Sequence, residues 1–338
     1  MKKIIILSII LCVGLYGFAQ SDSISNITAS QRTDGSGLVD VYFDLYGSGN
    51  SYYINMRVSF DAGANYFPVA QGTYSGDIAS ISSGTNKHIV WNPTQEHPNR
   101  YSPQTKIKLV AFVIENINPC PGTPTVTDYD GNIYATVQID NQCWMASNLN
   151  TTRDAAGNII IRLCYDNNQN NCEYYGGLYD WNTVMNGAAN SSSNPSGVQG
   201  ICPIGWHVPS DAEWTQLTDY LINNYVDITS DNVGDKLKSC RQVNSPLGGV
   251  CNTSDHPRWD SDNTHYGTND FGFGVLPGGG WPGGSWMILG QDVNWWCTTT
   301  QVYYSINAMC RTISSVQGEI YIYQREKSFD FSVRCLKN

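Results

Sequence analysis

The positions of the cysteines constrain the fold of this chain more than any other feature. Of its 11 cysteines, Cys12 lies in an apolar N-terminal stretch, and the other ten all lie between Cys120 and Cys335. An even number of cysteines in an exported chain favours disulfides over free thiols or metal ligands. No Cys-x-x-Cys sequence occurs, which counts against zinc-ribbon and thioredoxin-type sites. We therefore predict that the C-terminal part of the chain is a domain held together by five disulfides.

The N-terminus has the order of a cleavable secretory signal. Two lysines precede an apolar run over residues 4–13, and small residues then lead to Ala19 and Gln20, where we expect cleavage. The apolar run is shorter than the roughly 20 residues that a membrane-spanning helix needs, so a membrane anchor is the weaker alternative. Residues 1–20 are therefore interpreted as a signal peptide, and the mature chain as secreted or displayed at the cell surface without a transmembrane segment.

The mature chain is acidic. Removing the signal takes away two of the 19 Lys and Arg residues and none of the 29 Asp and Glu residues, so the formal net charge changes from -10 to -12. Nucleic acids and anionic membranes are bound mainly through lysine and arginine. We therefore expect neither as a partner.

Composition divides the mature chain into two domains. Residues 21–116 contain no cysteine and one of the ten tryptophans, Trp91, whereas the remainder contains the other cysteines and tryptophans of the mature chain. The Pro-rich stretch 117–124 is typical of a linker. Apolar and polar residues alternate over 39–45 and 106–113, and Gly-rich turns separate such runs. This pattern predicts an all-β sandwich of immunoglobulin or fibronectin type for the first domain.

The second domain, residues 125–338, has strand signals at both ends. A hairpin is expected around the turn sequence Asp130-Gly131. The alternation from 328 to 335 predicts a last strand with one polar face and with Cys335 in the core. These features favour an α+β domain whose first and last strands pair in one sheet.

The clearest helix signal lies between these strands, over residues 210–224. Ser210 followed three residues later by Glu213 is the capping-box pattern, in which each side chain bonds a backbone N–H at the helix start. An apolar stripe that needs a sheet to pack on follows at helical spacing: Trp214, Leu217, Leu221 and Tyr225.

Several sequence blocks in the second domain resemble a known family. One of them reads Cys-Pro-Ile-Gly-Trp-His-Val-Pro-Ser-Asp-Ala-Glu-Trp, and the set covers residues 128–134, 142–149, 177–181, 202–214, 276–279 and 331–335. Their order is similar to that of the Fibrobacter succinogenes major paralogous domain, over about 125–337. The resemblance implies an exported or surface protein of a bacterium, with a fold similar to C-type lectins and to the formylglycine-generating enzyme. The family has no established activity, and Asp330 stands where it usually has glycine.

The ten cysteines can be paired as hypotheses from their proximity in the chain. Three pairs are local, and the remaining four cysteines leave one pair across the first hairpin and one that ties the helix start to the last strand. The predicted pairs are Cys164–Cys172, Cys240–Cys251, Cys297–Cys310, Cys120–Cys143 and Cys202–Cys335.

One loop concentrates oxygen-bearing side chains that could bind a metal. The candidate ligands are Asp255, Asp260, Asp262, Asn263 and Asp270. Hard oxygen ligands and an extracellular setting suit calcium, but EF-hand spacing and the lectin sequences Glu-Pro-Asn and Trp-Asn-Asp are absent. A solvated loop without metal and a zinc site formed by two histidines are the alternatives. No other cofactor is expected.

Aromatic residues crowd the same loop-rich region. The candidate ligand-binding residues are Trp259, Trp281, Trp286, Trp295, Trp296 and Tyr303. Aromatic faces flanked by Asn and Asp suit the stacking and hydrogen bonding of a sugar ring or peptide. The alternative is that these rings fill the core of a loop-rich domain. The Gly-rich stretch 276–286 lacks the Lys-Ser/Thr ending of a phosphate-binding loop.

Three functions follow from these patterns. We expect a secreted or cell-surface binding or adhesion module that recognises a glycan through the aromatic loop region. The alternative is a structural or protein-binding surface component without glycan affinity. An oxidase of the formylglycine-generating type is the third, with Cys297 and Cys310 as its only candidates by position. No catalytic residue is otherwise predicted, and His207 beside the helix cap is interpreted as structural.

Overall fold

The computed structural model describes residues 23–47, 52–64, 66–69, 73–78, 81–97, 102–113, 118–248, 251–300 and 306–338. The predicted signal peptide and its cleavage site lie outside the described residues. The chain divides into two compact units. The first takes in the described residues before position 116 together with residues 130–133, and the second takes in the rest.

The first unit consists of two antiparallel sheets around one core. Its strands are β1 Ser23–Gln31, β2 Val39–Tyr46, β3 Tyr52–Ser59, β4 Phe67–Pro68, β5 Tyr74–Gly76, β6 Gly84–Trp91 and β7 Lys106–Val113, with a single-turn helix, α1 Pro93–Glu96. One sheet has the order β1-β2-β6-β5 and the other β4-β3-β7. Alternate residues of β2, such as Val41 and Phe43, point into the core and pack with Ile54 and Ile107 of the other sheet. The period-two pattern therefore produces a sandwich.

The second unit is mixed, with mostly short strands and few helices. Its strands are β8 Thr125–Thr127, β9 Ile133–Ile139, β10 Gln142–Met145, β11 Tyr179–Asp180, β12 Trp206–His207, β13 Asp292–Trp296, β14 Asn307–Ser314, β15 Tyr321–Glu326, β16 Asp330–Phe331 and β17 Leu336–Lys337. Its helices are α2 Gln169–Tyr175, α3 Trp181–Met185, α4 Asp211–Asn224 and α5 Val233–Leu237. The sheets have the orders β12-β17-β10-β9-β8, β13-β14-β15 and β11-β16. Both ends of the unit therefore share one sheet, as the pattern predicts.

Helix α4 begins where the capping box predicts. The Glu213 carboxylate accepts a hydrogen bond from the Ser210 backbone N–H at 2.8 Å, and the Ser210 hydroxyl accepts one from the Glu213 N–H at 3.3 Å. Trp214 is fully buried and stacks on Trp295 of β13 with a centroid separation of 5.1 Å. The apolar stripe ends earlier than predicted, because Tyr225 caps the helix and is 38% exposed.

The segment before the C-terminus is buried on both sides, which corrects the prediction of one polar strand face. Phe331 and Val333 lie in one core cluster, which also contains Trp296, whereas Trp295 lies in a second cluster. The segment runs between these two clusters, and Arg334 is only 1% exposed. Only residues 330–331 of the predicted strand 328–335 form a strand, β16. The next strand, β17, begins at Leu336 and belongs to a different sheet, so alternation alone does not give an exposed side.

A buried polar network connects the end of the chain to the start of the unit. The Asn148 side-chain oxygen accepts hydrogen bonds from Arg334 Nη2 at 2.9 Å and from Trp295 Nε1 at 2.8 Å. Arg334 also donates to the Phe273 carbonyl and lies 4.7 Å from the centroid of the Phe273 ring. Burial lowers the pKa of Arg334, because desolvation disfavours its charged form.

The structure contains four of the five predicted disulfides: Cys120–Cys143, Cys164–Cys172, Cys202–Cys335 and Cys240–Cys251. The fifth pairing is wrong, because Cys297 and Cys310 are free and buried. Cys310 lies opposite Trp296 in the ladder between β13 and β14, so these two side chains are on the same face of the sheet. Cys297 directly follows Trp296 and therefore points to the opposite face. The two thiols accordingly lie in different core clusters. Within the described residues, no helix has both the length and the apolar character needed to cross a membrane.

Candidate aromatic binding site

Three of the predicted ligand-binding tryptophans are core residues. Trp259, Trp295 and Trp296 each have 0% exposed surface. Their indole N–H groups donate to buried partners, such as the Val275 carbonyl for Trp259 and the Tyr179 carbonyl for Trp296. They cannot stack on a ligand, so the structure corrects the prediction for these three. Tyr303 lies outside the described residues.

The other two predicted tryptophans lie together at the surface with a residue that sequence reasoning missed. Trp281 and Trp286 are half-buried, and their ring centroids are 4.6 Å apart. Tyr165, also half-buried, lies 5.2 Å from Trp286. We call Tyr165, Trp281 and Trp286 the aromatic cluster. The only sequence signal for Tyr165 is its position directly after Cys164, in the loop that the Cys164–Cys172 disulfide closes.

Backbone contacts hold the three rings on the core. The Trp281 N–H donates to the Asp330 carbonyl at 3.0 Å, and the Asp330 N–H donates back at 2.9 Å. The Met287 N–H donates to the Gly280 carbonyl at 3.0 Å, which closes the loop that carries both tryptophans. The Leu289 N–H donates to the Tyr165 hydroxyl at 3.2 Å. The rings are therefore positioned before any ligand arrives, which lowers the entropic cost of binding.

Glycine is required where this loop meets the core. Gly279 has a φ of +69°, and a Cβ added there would lie 3.0 Å from the Tyr165 ring. A Cβ on Gly280 would lie 2.8 Å from the Phe331 ring. The Gly-rich stretch thus serves close packing of backbone against aromatic rings.

Polar groups flank the aromatic cluster. Arg258 forms an ion pair with Asp260, whose backbone N–H donates to the Gly290 carbonyl at 2.8 Å. Asp330 lies behind Trp281 and is 9% exposed, although sequence patterning places it on an open polar face. Burial, together with the nearby Asp180 carboxylate on the paired strand β11, raises the pKa of Asp330 to about 7.

This raised pKa predicts a pH dependence of stability. In the folded protein the Asp330 pKa is above its ordinary value of 3.8, which applies to the unfolded chain. Between about pH 4 and pH 7 the unfolded chain has therefore lost this proton while the folded protein keeps it. The free energy of unfolding consequently falls as the pH rises through this range. Asp330→Asn removes the buried charge and is expected to raise the melting temperature at pH 8 by roughly 2–4 °C. This corresponds to a gain of about 1 kcal/mol in the free energy of unfolding after solvent screening. At about pH 4 the melting temperature should not change. Differential scanning calorimetry at both pH values checks this, and an equal shift at both would contradict it.

The candidate calcium ligands do not converge. Asp260 is paired with Arg258, and Asp270 lies 3.1 Å from the Lys236 ammonium. Asp262 accepts hydrogen bonds from two backbone N–H groups of its own loop, at 2.8 and 2.7 Å, while Asp255 and Asn263 are exposed. Across the described part of the chain, no group of three His, Cys, Asp or Glu side chains could hold a metal ion.

The two histidines of this loop have separate partners. His256 Nδ1 contacts the Tyr175 hydroxyl at 2.5 Å, whereas His265 Nδ1 lies 3.2 Å from the Asp235 carboxylate. The structure therefore does not bring them together as the predicted two-histidine zinc site.

The thiols considered for an oxidase are buried. Burial raises the pKa of Cys310 to about 12 and the pKa of Cys297 well above its ordinary value. A reactive cysteine needs a lowered pKa and access to solvent. These two thiols have neither.

The fold and the site define the class of protein: a two-unit, disulfide-stabilised, strand-rich protein with a surface cluster of aromatic rings. Residues 137–337, more than half of the chain, match the model of the Fibrobacter succinogenes major domain family. The chain belongs to this family. The match begins 12 residues after the start that the sequence blocks indicate at about 125. No curated protein and no solved structure matches the chain.

Proposed function

We propose that this protein is an exported binding module of a bacterial cell that recognises a glycan through the aromatic cluster. The observation that carries the proposal is the contact between three half-buried rings on a loop fixed to the core. Half-buried aromatic faces can stack on the apolar face of a sugar ring, while nearby polar groups bond its hydroxyls. Arg258 and Asp260 supply such groups in the loop beside the cluster.

The setting of the second unit supports this proposal. Four disulfides fit an oxidising compartment outside the cytoplasm. Terminal strands that share a sheet, with long loops inserted between them, support a C-type-lectin-like arrangement as part of the same proposal. Adhesion to a surface polysaccharide is the biological role that these features favour.

A glycan array with the full mature chain tests the proposal. We expect retention of a subset of glycans, and Trp286→Ala should weaken binding to them at least about tenfold, since an aromatic anchor that a ligand covers contributes about 2 kcal/mol or more. Tyr46→Ala is the matched control, because Tyr46 is a 41% exposed aromatic residue of the first unit. This control should bind as the wild type does.

Two results would contradict glycan recognition through the aromatic cluster. One is an array without any retained glycan when calorimetry shows a folded protein. The other is equal loss of binding in the Trp286→Ala and Tyr46→Ala variants. A silent array combined with capture of a purified envelope protein would instead favour the alternative function, a protein-binding surface component.

A further inference from the structure

A small polar cleft lies on the second unit, away from the residues of the aromatic cluster. Its volume is about 140 Å³, and four carboxamide side chains line it: Asn141, Gln142, Asn194 and Gln216. The buried side chains of His207 and Glu213 also line this cleft. It is smaller than the roughly 300–1,000 Å³ of pockets that enclose drug-sized ligands. The cleft therefore has room for one ring-sized group.

Three of the carboxamides form a hydrogen-bonded chain, which we call the amide relay. Asn194 Nδ2 donates to Gln216 Oε1 at 2.7 Å, and Gln216 Nε2 donates to Asn141 Oδ1 at 2.6 Å. Asn141 and Asn194 are exposed, and Gln216 is half-buried. Within the described part of the chain, Asn194 Oδ1 and Asn141 Nδ2 make no hydrogen bond, so the relay ends in an acceptor on one side and a donor on the other.

The inner wall of the cleft is internally satisfied. The Glu213 carboxylate accepts hydrogen bonds from His207 Nε2 at 2.7 Å, from the Ser210 N–H at 2.8 Å and from the Ser196 N–H at 3.2 Å. Gln142 Nε2 donates to the Glu213 carbonyl at 2.9 Å. A fully bonded buried network is rigid. The wall therefore offers no free carboxylate to a ligand, which leaves the amide relay and Lys337 as the polar lining groups that can bond one.

We infer that this cleft binds a single sugar residue through the amide relay. A hydroxyl group both donates and accepts, so adjacent sugar hydroxyls can satisfy the two ends of the relay whichever way its amides are oriented. The lining also contains Lys337, whose ammonium donates to Thr123 Oγ1 at 2.6 Å and, unlike the internally bonded Glu213 carboxylate, retains further hydrogen-bonding capacity. A sugar that carries a carboxylate is therefore favoured over one that carries an amine.

This inference does not rest on the proposed function, because the cleft and the aromatic cluster share no residue. One site can fail while the other stands. A chain with both sites would hold a polysaccharide at two points, which raises its overall affinity without any new contact.

Ligand-observed NMR with the full mature chain tests the cleft, with methyl glucuronide, methyl glucoside and glucosamine as probes. We expect dissociation constants in the millimolar range, typical of a single small ligand with few contacts, with methyl glucuronide binding most tightly and glucosamine most weakly. Gln216→Ala and Asn194→Ala should each weaken binding at least about fivefold. Gln317→Ala is the matched control, since Gln317 is exposed and outside the cleft, and it should not change binding.

The outcomes separate the two sites. Trp286→Ala should leave the methyl glucuronide signal unchanged, because Trp286 belongs to the aromatic cluster. Absence of a signal from all three probes, or full binding by both Gln216→Ala and Asn194→Ala, would overturn the inference. Tighter binding of glucosamine than of methyl glucuronide would overturn the role assigned to Lys337.

Discussion

Replacing Arg334 with alanine is expected to lower the free energy of unfolding of the second unit by about 3–5 kcal/mol, enough to abolish folding in many proteins of this size. The Arg334 guanidinium is 1% exposed and donates to Asn148 Oδ1 and to the Phe273 carbonyl. Its removal takes this donor from the Phe273 carbonyl, leaves Asn148 Oδ1 with only the Trp295 N–H of the two donors described above, and opens a cavity against the Phe273 ring. Urea unfolding followed by tryptophan fluorescence measures the change.

The comparison variant is Arg325→Ala. Arg325 also contacts an aromatic ring, lying 4.5 Å from the Tyr323 centroid, but it is half-buried on β15 rather than enclosed. We expect it to cost less than about 1 kcal/mol. If Arg334→Ala unfolds at the same urea concentration as Arg325→Ala, the buried network does not stabilise the unit as described.

Removing the Cys202–Cys335 disulfide is the other change with a large expected effect on stability. The bridge joins residues separated by 133 positions, so the chain-entropy model assigns it about 5 kcal/mol of restriction on the unfolded chain. Both cysteines are fully buried in the same core cluster, so the double alanine variant also loses packing. We expect this variant to melt at a much lower temperature or to remain unfolded when exported.

The control is the double alanine variant of Cys164 and Cys172, which are separated by 8 positions. The same relation assigns this shorter bridge about 2.5 kcal/mol. Calorimetry on both variants should therefore show the larger drop for Cys202 and Cys335. Equal drops would mean that loop length does not decide the contribution of these bridges.

Local patterns predicted the elements that depend on neighbours in sequence. The helix start is one example, because a capping box needs only Ser210, Glu213 and the intervening backbone. The Cys164–Cys172 and Cys240–Cys251 bridges are others, since short loops bring their ends together with little cost. The prediction that both ends of the second unit share one sheet was also confirmed, although β8 and β17 are not neighbours in it, and the family followed from ordered sequence blocks.

Other features set by the packing of distant segments were not predicted, although the Cys202–Cys335 bridge was. Cys297 and Cys310 are close in sequence, but the ladder register sets them on opposite faces of the sheet. The role of Arg334 has no local signal, because its partner Asn148 lies 186 residues earlier. The amide relay likewise joins Asn141, Asn194 and Gln216 from three separate segments.

The amino-acid sequence by itself determined the family, the helix cap, two of the three local disulfides and the hairpin at the start of the second unit. Only the tertiary structure decided which tryptophans face solvent. Trp295 and Trp296 are adjacent in the chain, yet both are enclosed, because a separate core cluster covers each face of β13. Trp281 and Trp286 lie on a loop that is covered on one side only, so they stay half-buried. Burial depends on which distant segments cover a residue, and that is set when the whole chain packs.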